Sequence, residues 1–404
     1  MSRKLFLHIG LQKTGTSYLQ SVFWQNKLEL RAQGLDMVPG TLRRTFWLML
    51  DVRGRVADFD APHIGRSLER LPRQLAAATG PRALTTEESL ASATPEQIER
   101  LLAACGDREI HVVITVRDLA RLIPSSWQQS LQAGSHQRLG DHLDRLRDSW
   151  TPGNDPERLR GLWQQKNAAA VAARWACQLP AERIHIVTVP PSGSPPDELL
   201  RRFCQVLDVD HTRLTDDRTR PNEALSHVAA ELLRRVNQGI DPALIRRDIY
   251  GAVGKRYFAI GVLGDEEGNK IRLPLELEPW CRSIAEGQVA ALRAGGYQVF
   301  GDLDDLLPVA SSFSDESVEP TDAELVPAAT RALSHLLSDQ LVQRREEKEA
   351  NQAAARAEQA AQAGQASRAA GDASAGRGGT PERTLAVRAR GVAHRILSRV
   401  RSRR

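Results

Sequence analysis

Three short stretches carry residue types able to do chemistry together. Gly10-Leu-Gln-Lys-Thr-Gly-Thr-Ser17 places one lysine, two glycines and three hydroxyl side chains in eight positions. Such a loop between a strand and a helix aims backbone N–H groups and the positive end of the helix at one point, which suits an anion. Lys13 adds a full charge, Gly15 lets the backbone approach a ligand without a Cβ, and Thr14, Thr16 and Ser17 offer hydroxyl donors. Arg117 stands at the end of an apolar run, with Ser125 eight residues later. A forked guanidinium plus a hydroxyl matches a phosphate dianion. The third stretch is Glu87-Glu88, a carboxylate pair placed to accept a proton.

The elements that must hold these groups are readable from hydrophobic pattern. Short runs rich in Val, Ile and Leu predict strands at Lys4–Ile9, Arg82–Thr86, Ile110–Val116 and Ile184–Val189, with a further candidate at Leu35–Val38. Segments of helical period fall between them, at Thr16–Ala32, Ile64–Ala78, Pro95–Ala104, Leu119–Ala133, Ala168–Cys177 and Pro196–Leu207. This alternation predicts an α/β fold, three layers with a central, mostly parallel sheet flanked by helices. In such a sheet the ligand crevice lies outside the carboxyl ends of the strands. The Lys13 loop, Glu87-Glu88 and Arg117 each follow a predicted strand, so all three are expected on one edge. Segments 138–165 and 223–293 carry few strand signals and are expected as insertions and outer helices.

The spacing in the first loop excludes the usual nucleotide-triphosphate loop, in which lysine follows the second glycine. Here Lys13 precedes Gly15. The order Lys-Thr-Gly-Thr-Ser after a strand ending His-Ile-Gly resembles the 5'-phosphosulfate loop of sulfotransferases that use 3'-phosphoadenosine 5'-phosphosulfate (PAPS), bacterial sulfotransferase-like proteins above all. The resemblance covers roughly residues 3–308 and implies a P-loop-like fold. It further implies that Lys13, Thr14, Gly15, Thr16 and Ser17 hold the 5'-phosphate, Lys13 also facing the bridging oxygen, and that Arg117 and Ser125 clamp the 3'-phosphate. Family members that act on glycans often carry their base glutamate after the strand corresponding to Arg82–Thr86. Glu87 and Glu88 are therefore the favoured bases, the choice between them open, with His8 and His136 as competitors. Arg220 and Asn222 are weaker candidates for completing the nucleotide site.

What the resemblance implies is sulfuryl transfer from PAPS to a hydroxyl or amine of a glycan, lipid or small molecule, with release of adenosine 3',5'-bisphosphate and without a metal. Two other readings stay open: a small-molecule kinase with a phosphate loop, and a non-catalytic interaction protein with a degenerate transferase domain. The kinase reading expects an aspartate at a neighbouring strand end to help hold Mg2+, whereas the Ile110–Val116 strand delivers Arg117 first.

Composition bounds the rest. Residues 382–404 contribute +7 to a net charge of +5, which leaves −2 for residues 1–381, so the overall basicity is no argument for nucleic acid. The 4 cysteines form no C-x-x-C pair, which predicts neither zinc nor a disulfide framework. The apolar run Leu5–Leu11 is too short for a signal peptide core, and a cytoplasmic setting is expected. The predicted organisation is a transferase-like domain over 1–308, a linker over 309–323, an Ala/Glu/Arg-rich helix over 324–363, a flexible tether over 364–383 and a basic amphipathic tail over 384–404. That tail sets Leu385, Ala389, Val392, Ile396 and Val400 opposite arginines. It fits either a disordered end or peripheral attachment to an anionic inner-membrane surface. The oligomeric state is not legible.

Overall fold

The computed structural model describes residues 3–150, 163–216, 224–315 and 319–374. In chain order the first elements are β1 (Lys4–Gly10), α1 (Thr16–Gln25), α2 (Lys27–Ala32), β2 (Leu35–Met37), α3 (Leu42–Val52), α4 (Ser67–Ala77), β3 (Arg82–Thr86), α5 (Pro95–Ala104), β4 (Glu109–Val116), α6 (Leu119–Leu131) and α7 (Leu139–Asp148). Next come α8 (Ala168–Ala176), β5 (Ile184–Thr188), α9 (Glu198–Leu207), α10 (His227–Gln238), β6 (Leu273–Pro274), α11 (Glu278–Ala294), β7 (Gln298–Phe300), β8 (Phe313–Ser314) and α12 (Asp322–Ser374).

Six strands form one sheet in the order β2-β3-β1-β4-β5-β7. Every pairing in it is parallel. A parallel sheet must be covered on both faces, and the strand residues divide accordingly. Leu5, Leu7 and Ile9 of β1 and Val112, Ile114 and Val116 of β4 pack with Leu48 of α3, Leu71 of α4, Ile98 of α5 and Val171 of α8. The alternate residues, Phe6 of β1 and Val113 of β4, pack with Leu19 and Phe23 of α1 and Phe203 of α9. The period-2 alternation of side chains thus builds the three-layer α/β arrangement that the sequence predicts. Because β1 has β3 on one side and β4 on the other, the chain leaving these three strands emerges at neighbouring points of one sheet edge.

Several helix starts follow from local chemistry. Thr94 and Gln97 form a capping box around Pro95 at the start of α5. Asp118 caps α6 by accepting the Arg121 N–H at 2.9 Å, and Asn167 caps α8 through the Ala170 N–H at 3.0 Å. The predicted helix over 16–32 is two helices that meet at Asn26, whose amide side chain donates to the Val22 carbonyl at 2.8 Å and so competes with the helical ladder.

Helix α3 was not among the expected helices, although Thr41 caps it through the Arg44 N–H at 3.2 Å. Strand β7 also escaped, being three residues long with largely exposed side chains. The stretch expected as a linker contains β8, paired with β6. The chain divides into one compact unit over Met1–Ser334 and another over His335–Arg404. In the first, Leu325, Ala328 and Ala332 of α12 are buried. In the second, every described side chain over 340–367 is exposed, as in a solvated helix. The helix runs on to Ser374, past Gly364, where alanine's helix propensity outweighs the single glycine. The basic segment 384–404 lies outside the described residues, among which no helix is long and apolar enough to cross a membrane.

Candidate active site

The loop after β1 is held by its neighbours before any ligand arrives. The Leu11 N–H donates to the Thr115 carbonyl of β4 at 2.8 Å. Lys13 and Gly15 both take left-handed backbone conformations, with φ of 64° and 83°. Thr16 and Ser17 then open α1, in a first turn whose N–H groups have no intrahelical acceptor. Gly15 is dictated by packing as well as by φ, since a Cβ there would lie 2.4 Å from Leu199 Cδ2 of α9. The residue close to that glycine is Leu199 of α9, a packing constraint beside the ligand approach expected of it. Gly10 has the same logic, because its Cβ would meet the Glu88 carbonyl oxygen at 2.7 Å.

Of the three expected hydroxyl donors, the fold leaves one exposed. Thr14 is buried; its Oγ1 donates to the Leu11 carbonyl at 2.5 Å and sits 2.6 Å from Thr115 Oγ1. It pins the loop to β4 and is not presented to a ligand. The Thr16 hydroxyl donates to a Glu88 carboxylate oxygen. Ser17 is exposed and Lys13 is half-buried.

Arg117 follows β4 directly and comes back over the loop, its Nη1 donating to the Lys13 carbonyl at 3.2 Å. Its Nε is buried with no acceptor among the described residues. Burial, and then the nearby Arg121 charge, bring the guanidinium down to about 10. Arg121 is itself engaged, paired with Asp118 and donating to the Pro190 carbonyl at 3.2 Å. Ser125 differs from expectation: its Oγ donates to the Arg121 carbonyl at 3.0 Å, one turn back in α6. The proline at 124 leaves that stretch of the helix without one N–H, and the serine hydrogen is committed to the helix. The fold brings Lys13 and Arg117 together, and it turns Ser125 onto its own helix.

The carboxylate pair follows β3. The Glu87 N–H donates to the His8 carbonyl at 2.9 Å, continuing the ladder, and the Glu87 side chain accepts the Ser89 N–H at 3.3 Å. Glu87 is buried, and burial, then the adjacent Glu88 charge, push its carboxyl up to about 7. Glu88 instead reaches Thr16. The two members of the pair therefore occupy different settings, one enclosed and one on the loop.

Neither histidine competitor has comparable placement. His8 is fully buried, with Nδ1 2.8 Å from Thr86 Oγ1 and Nε2 3.3 Å from Thr115 Oγ1, and its ring meets Phe203 edge-on. Burial brings it down to about 3, so it is a neutral cross-brace between β3 and β4. His136 is exposed beyond the far end of α6, a helix of 13 residues and so about 20 Å long.

A set of polar residues around the site had no sequence signal beyond the loop motif. Gln12 donates its backbone N–H to Gln165 Oε1 at 3.2 Å and its amide to Ser89 Oγ at 3.3 Å, while Gln165 Nε2 donates to Ser92 Oγ at 2.9 Å. Arg53 donates to the Ser89 carbonyl at 2.6 Å and Arg174 to the Ala91 carbonyl at 3.1 Å. Together they fix the short turn that carries Glu87 and Glu88. Tyr18 donates to Asp216 at 2.8 Å, and Gln128 pairs with the Leu225 backbone at 2.7 and 3.2 Å. Arg220 and Asn222 lie outside the described residues.

No family model matches the sequence, and no curated protein is recognisably similar to it. Among solved structures, a sulfotransferase from Alicyclobacillus acidocaldarius is similar at 15% identity and a TM-score of 0.36, over 74% of this chain and 97% of that one. A likeness so loose assigns no residue of this chain a role.

Proposed function

We propose that this protein is a sulfotransferase that moves a sulfuryl group from PAPS to a hydroxyl or amine acceptor. The observation that carries the reading is the meeting of Lys13 and Arg117 at the tips of adjacent strands, 3.2 Å apart from carbonyl to guanidinium, with Glu87 at the tip of the strand on the other side. A donor with phosphate at both ends needs two cationic groups on one rim, and a lysine and an arginine at adjacent strand tips support that reading. The residues present suit it: a loop with left-handed turns, an ammonium, the open first turn of α1, and a guanidinium whose Nε has no partner among the described residues. The donor set differs from expectation in lacking the Thr14, Thr16 and Ser125 hydroxyls, which are committed to protein acceptors.

In the proposed reaction the acceptor oxygen forms a bond to sulfur as the bond from sulfur to the bridging phosphate oxygen breaks. The electron pair leaves with the 5'-phosphate. Lys13 and the loop N–H groups stabilise that developing charge, which is where preorganised donors contribute most. Glu87 accepts the acceptor's proton. Its position near pH 7 suits a general base working at neutral pH. Glu88, bonded to Thr16, steadies the loop and raises Glu87 through its charge. Arg117 binds the 3'-phosphate while bracing the Lys13 backbone. The acceptor belongs to the hydroxyl- or amine-bearing class, whether glycan, lipid or metabolite.

One contact favours a second reading. A carboxylate hydrogen-bonded to a hydroxyl at the start of the loop helix, as Glu88 is to Thr16, is also how a phosphate-loop kinase assembles its Mg2+ position. Calorimetric titration separates the two. Adenosine 3',5'-bisphosphate binding without Mg2+, together with label transfer from PAPS, supports the sulfotransferase. Mg2+-dependent ATP binding with no affinity for the bisphosphate would replace it with the kinase.

A further inference from the structure

Away from the strand tips, two helices point matched faces at each other. On α3, Arg44, Trp47 and Leu48 stand at i, i+3 and i+4; on α4, Arg70, Arg73 and Gln74 repeat that spacing one element later. The helices are tied by the Leu68 N–H, which donates to Asp51 Oδ2 at 2.8 Å. Between them these residues, with His63 and Ser67, line an open cavity of about 410 Å3. That is inside the range of roughly 300–1,000 Å3 typical of small-molecule sites. None of Lys13–Ser17, Glu87 or Arg117 lines it.

The lining has one sign of charge. Arg44, Arg70 and Arg73 contribute three guanidinia and no carboxylate lines the cavity. Among the described residues, none of the three has a carboxylate at ion-pair distance. Three like charges around a concave wall repel one another, and a bound anion relieves that repulsion. The remaining wall is flat and apolar. Trp47 is half-buried with the His63 ring edge-on at 4.8 Å, and Leu48 below is 2% exposed. Arg43, which does not line the cavity, stacks over Trp47 at 5.9 Å. The Ser67 hydroxyl is committed to the Ile64 carbonyl at 2.7 Å, which leaves Gln74 as the neutral donor.

We propose that this cavity is a second ligand site, taking a small organic anion that joins a flat ring to a carboxylate, phosphate or sulfate. The guanidinia recognise the acid group by forked hydrogen bonds and Trp47 takes the ring. The site stands independently of the sulfuryl-transfer reading, because neither its residues nor its chemistry draw on the strand-tip cluster.

Calorimetry on the full chain tests it with 2-naphthoate as the probe and 2-naphthol as its uncharged counterpart. Expected is saturable 2-naphthoate binding, roughly millimolar or tighter, with 2-naphthol at least about tenfold weaker. R70Q/R73Q should weaken 2-naphthoate by at least about tenfold with an unchanged melting temperature, since both side chains are exposed. Lys13→Ala should leave that binding as it is. No saturable binding, equal affinity for naphthol, or indifference to R70Q/R73Q would overturn the site. Loss of binding in Lys13→Ala would overturn it too, by moving the anion to the strand tips.

Discussion

The Arg117 guanidinium donates to the backbone carbonyl of Lys13, residues that are 104 positions apart in the chain. The contact is made possible by β1 and β4 being parallel neighbours, so that both chains leave the sheet at one edge. It couples two tasks, since the same guanidinium braces the loop and sits half-buried beside it with an unused Nε. Losing Arg117 should therefore cost more than one phosphate contact. Arg117→Ala is expected to weaken adenosine 3',5'-bisphosphate by about 100-fold or more, as for removal of a charge-assisted pair plus its positioning effect. Arg117→Lys should recover only part of this, because an ammonium cannot both reach the carbonyl and present a fork. Calorimetry on the two variants checks it, and full recovery by lysine would reduce Arg117 to a point charge.

Lys13→Ala should lower kcat for transfer from PAPS by about 100- to 1,000-fold, the range for removing one preorganised donor from a developing oxyanion. Its side chain is half-buried and the loop is held by Thr14, Thr115 and Leu11, so the melting temperature should hardly move. Single-turnover transfer with labelled PAPS, read beside the thermal unfolding curve, checks both halves. Retained transfer would contradict the assignment of Lys13.

Glu87 should trade stability for activity. Its carboxyl is raised to about 7 by burial and by Glu88, against 4.5 in the unfolded chain. Between those values the folded protein keeps a proton that the unfolded chain has lost, so stability falls as pH rises through this window, and the penalty is complete above pH 7. It amounts to ~3 kcal/mol at 1.36 kcal/mol per pH unit. Glu87→Gln removes the charge while keeping the shape. It should stabilise the protein at pH 8 by up to that amount, change little at pH 4, and lose transfer. Urea unfolding at the two pH values measures this, and a variant no more stable at pH 8 than at pH 4 relative to wild type would show Glu87 to be solvated.

How far the sequence revealed all this differs between backbone and side chains. Strands β1, β3, β4 and β5 were legible because a parallel sheet buried on both faces writes itself as short continuous apolar runs. The shared edge of the Lys13 loop, Glu87 and Arg117 followed from their each succeeding such a run. Hydroxyl direction was not legible. Thr14 and Ser125 turn inward to carbonyls of Leu11 and Arg121, a choice set by backbone geometry that residue type does not encode. Nor could spacing indicate Gln165, Arg53 or Arg174, whose contacts with the loop and the Glu87 turn span 36 to 153 positions. Helix α3 carried its signal, Thr41 before a Leu-Arg-Arg-Thr-Phe-Trp run, but the loop around Pro39 and Gly40 masked where it begins.

Gly15 offers a way to separate backbone strain from packing. A methyl group there would overlap Leu199 Cδ2 and would also have to adopt a φ of 83°, which costs an L-residue about 1 kcal/mol by itself. Overpacking adds ~1–3 kcal/mol. Gly15→Ala should thus destabilise by about 2–4 kcal/mol, and Gly15→Ala in a Leu199→Ala background should cost only the conformational part. A double-mutant cycle by denaturant unfolding reads the difference. Strict additivity would mean that α9 yields and that the overlap is not felt.

Acid should destabilise this protein before its exposed carboxylates titrate. His8, His142 and His185 are buried, and burial brings them to about 3, about 4 and about 4, with Lys166 and Arg145 adding to the effect on His142 and His111 to that on His185. The unfolded chain binds protons at these residues near 6.5 while the fold does not, so stability is full above that value and is lost as pH falls toward 4. At pH 5 each still-neutral imidazole costs ~2 kcal/mol, and three together approach the total stability of ~5–15 kcal/mol of a typical fold. Glu87 offsets about one of the three, since lowering the pH from 7 to 5 relieves ~2 kcal/mol of its penalty. The ring Nε2 of His142 is buried without a partner among the described residues, so no hydrogen bond from them to the charged form rescues it. A stability profile by urea unfolding should fall steeply between pH 6.5 and 5, where model carboxylates are still ionised. His142→Asn should flatten that slope by about one proton's worth, and a profile level down to pH 4.5 would mean that these imidazoles reach water when they charge.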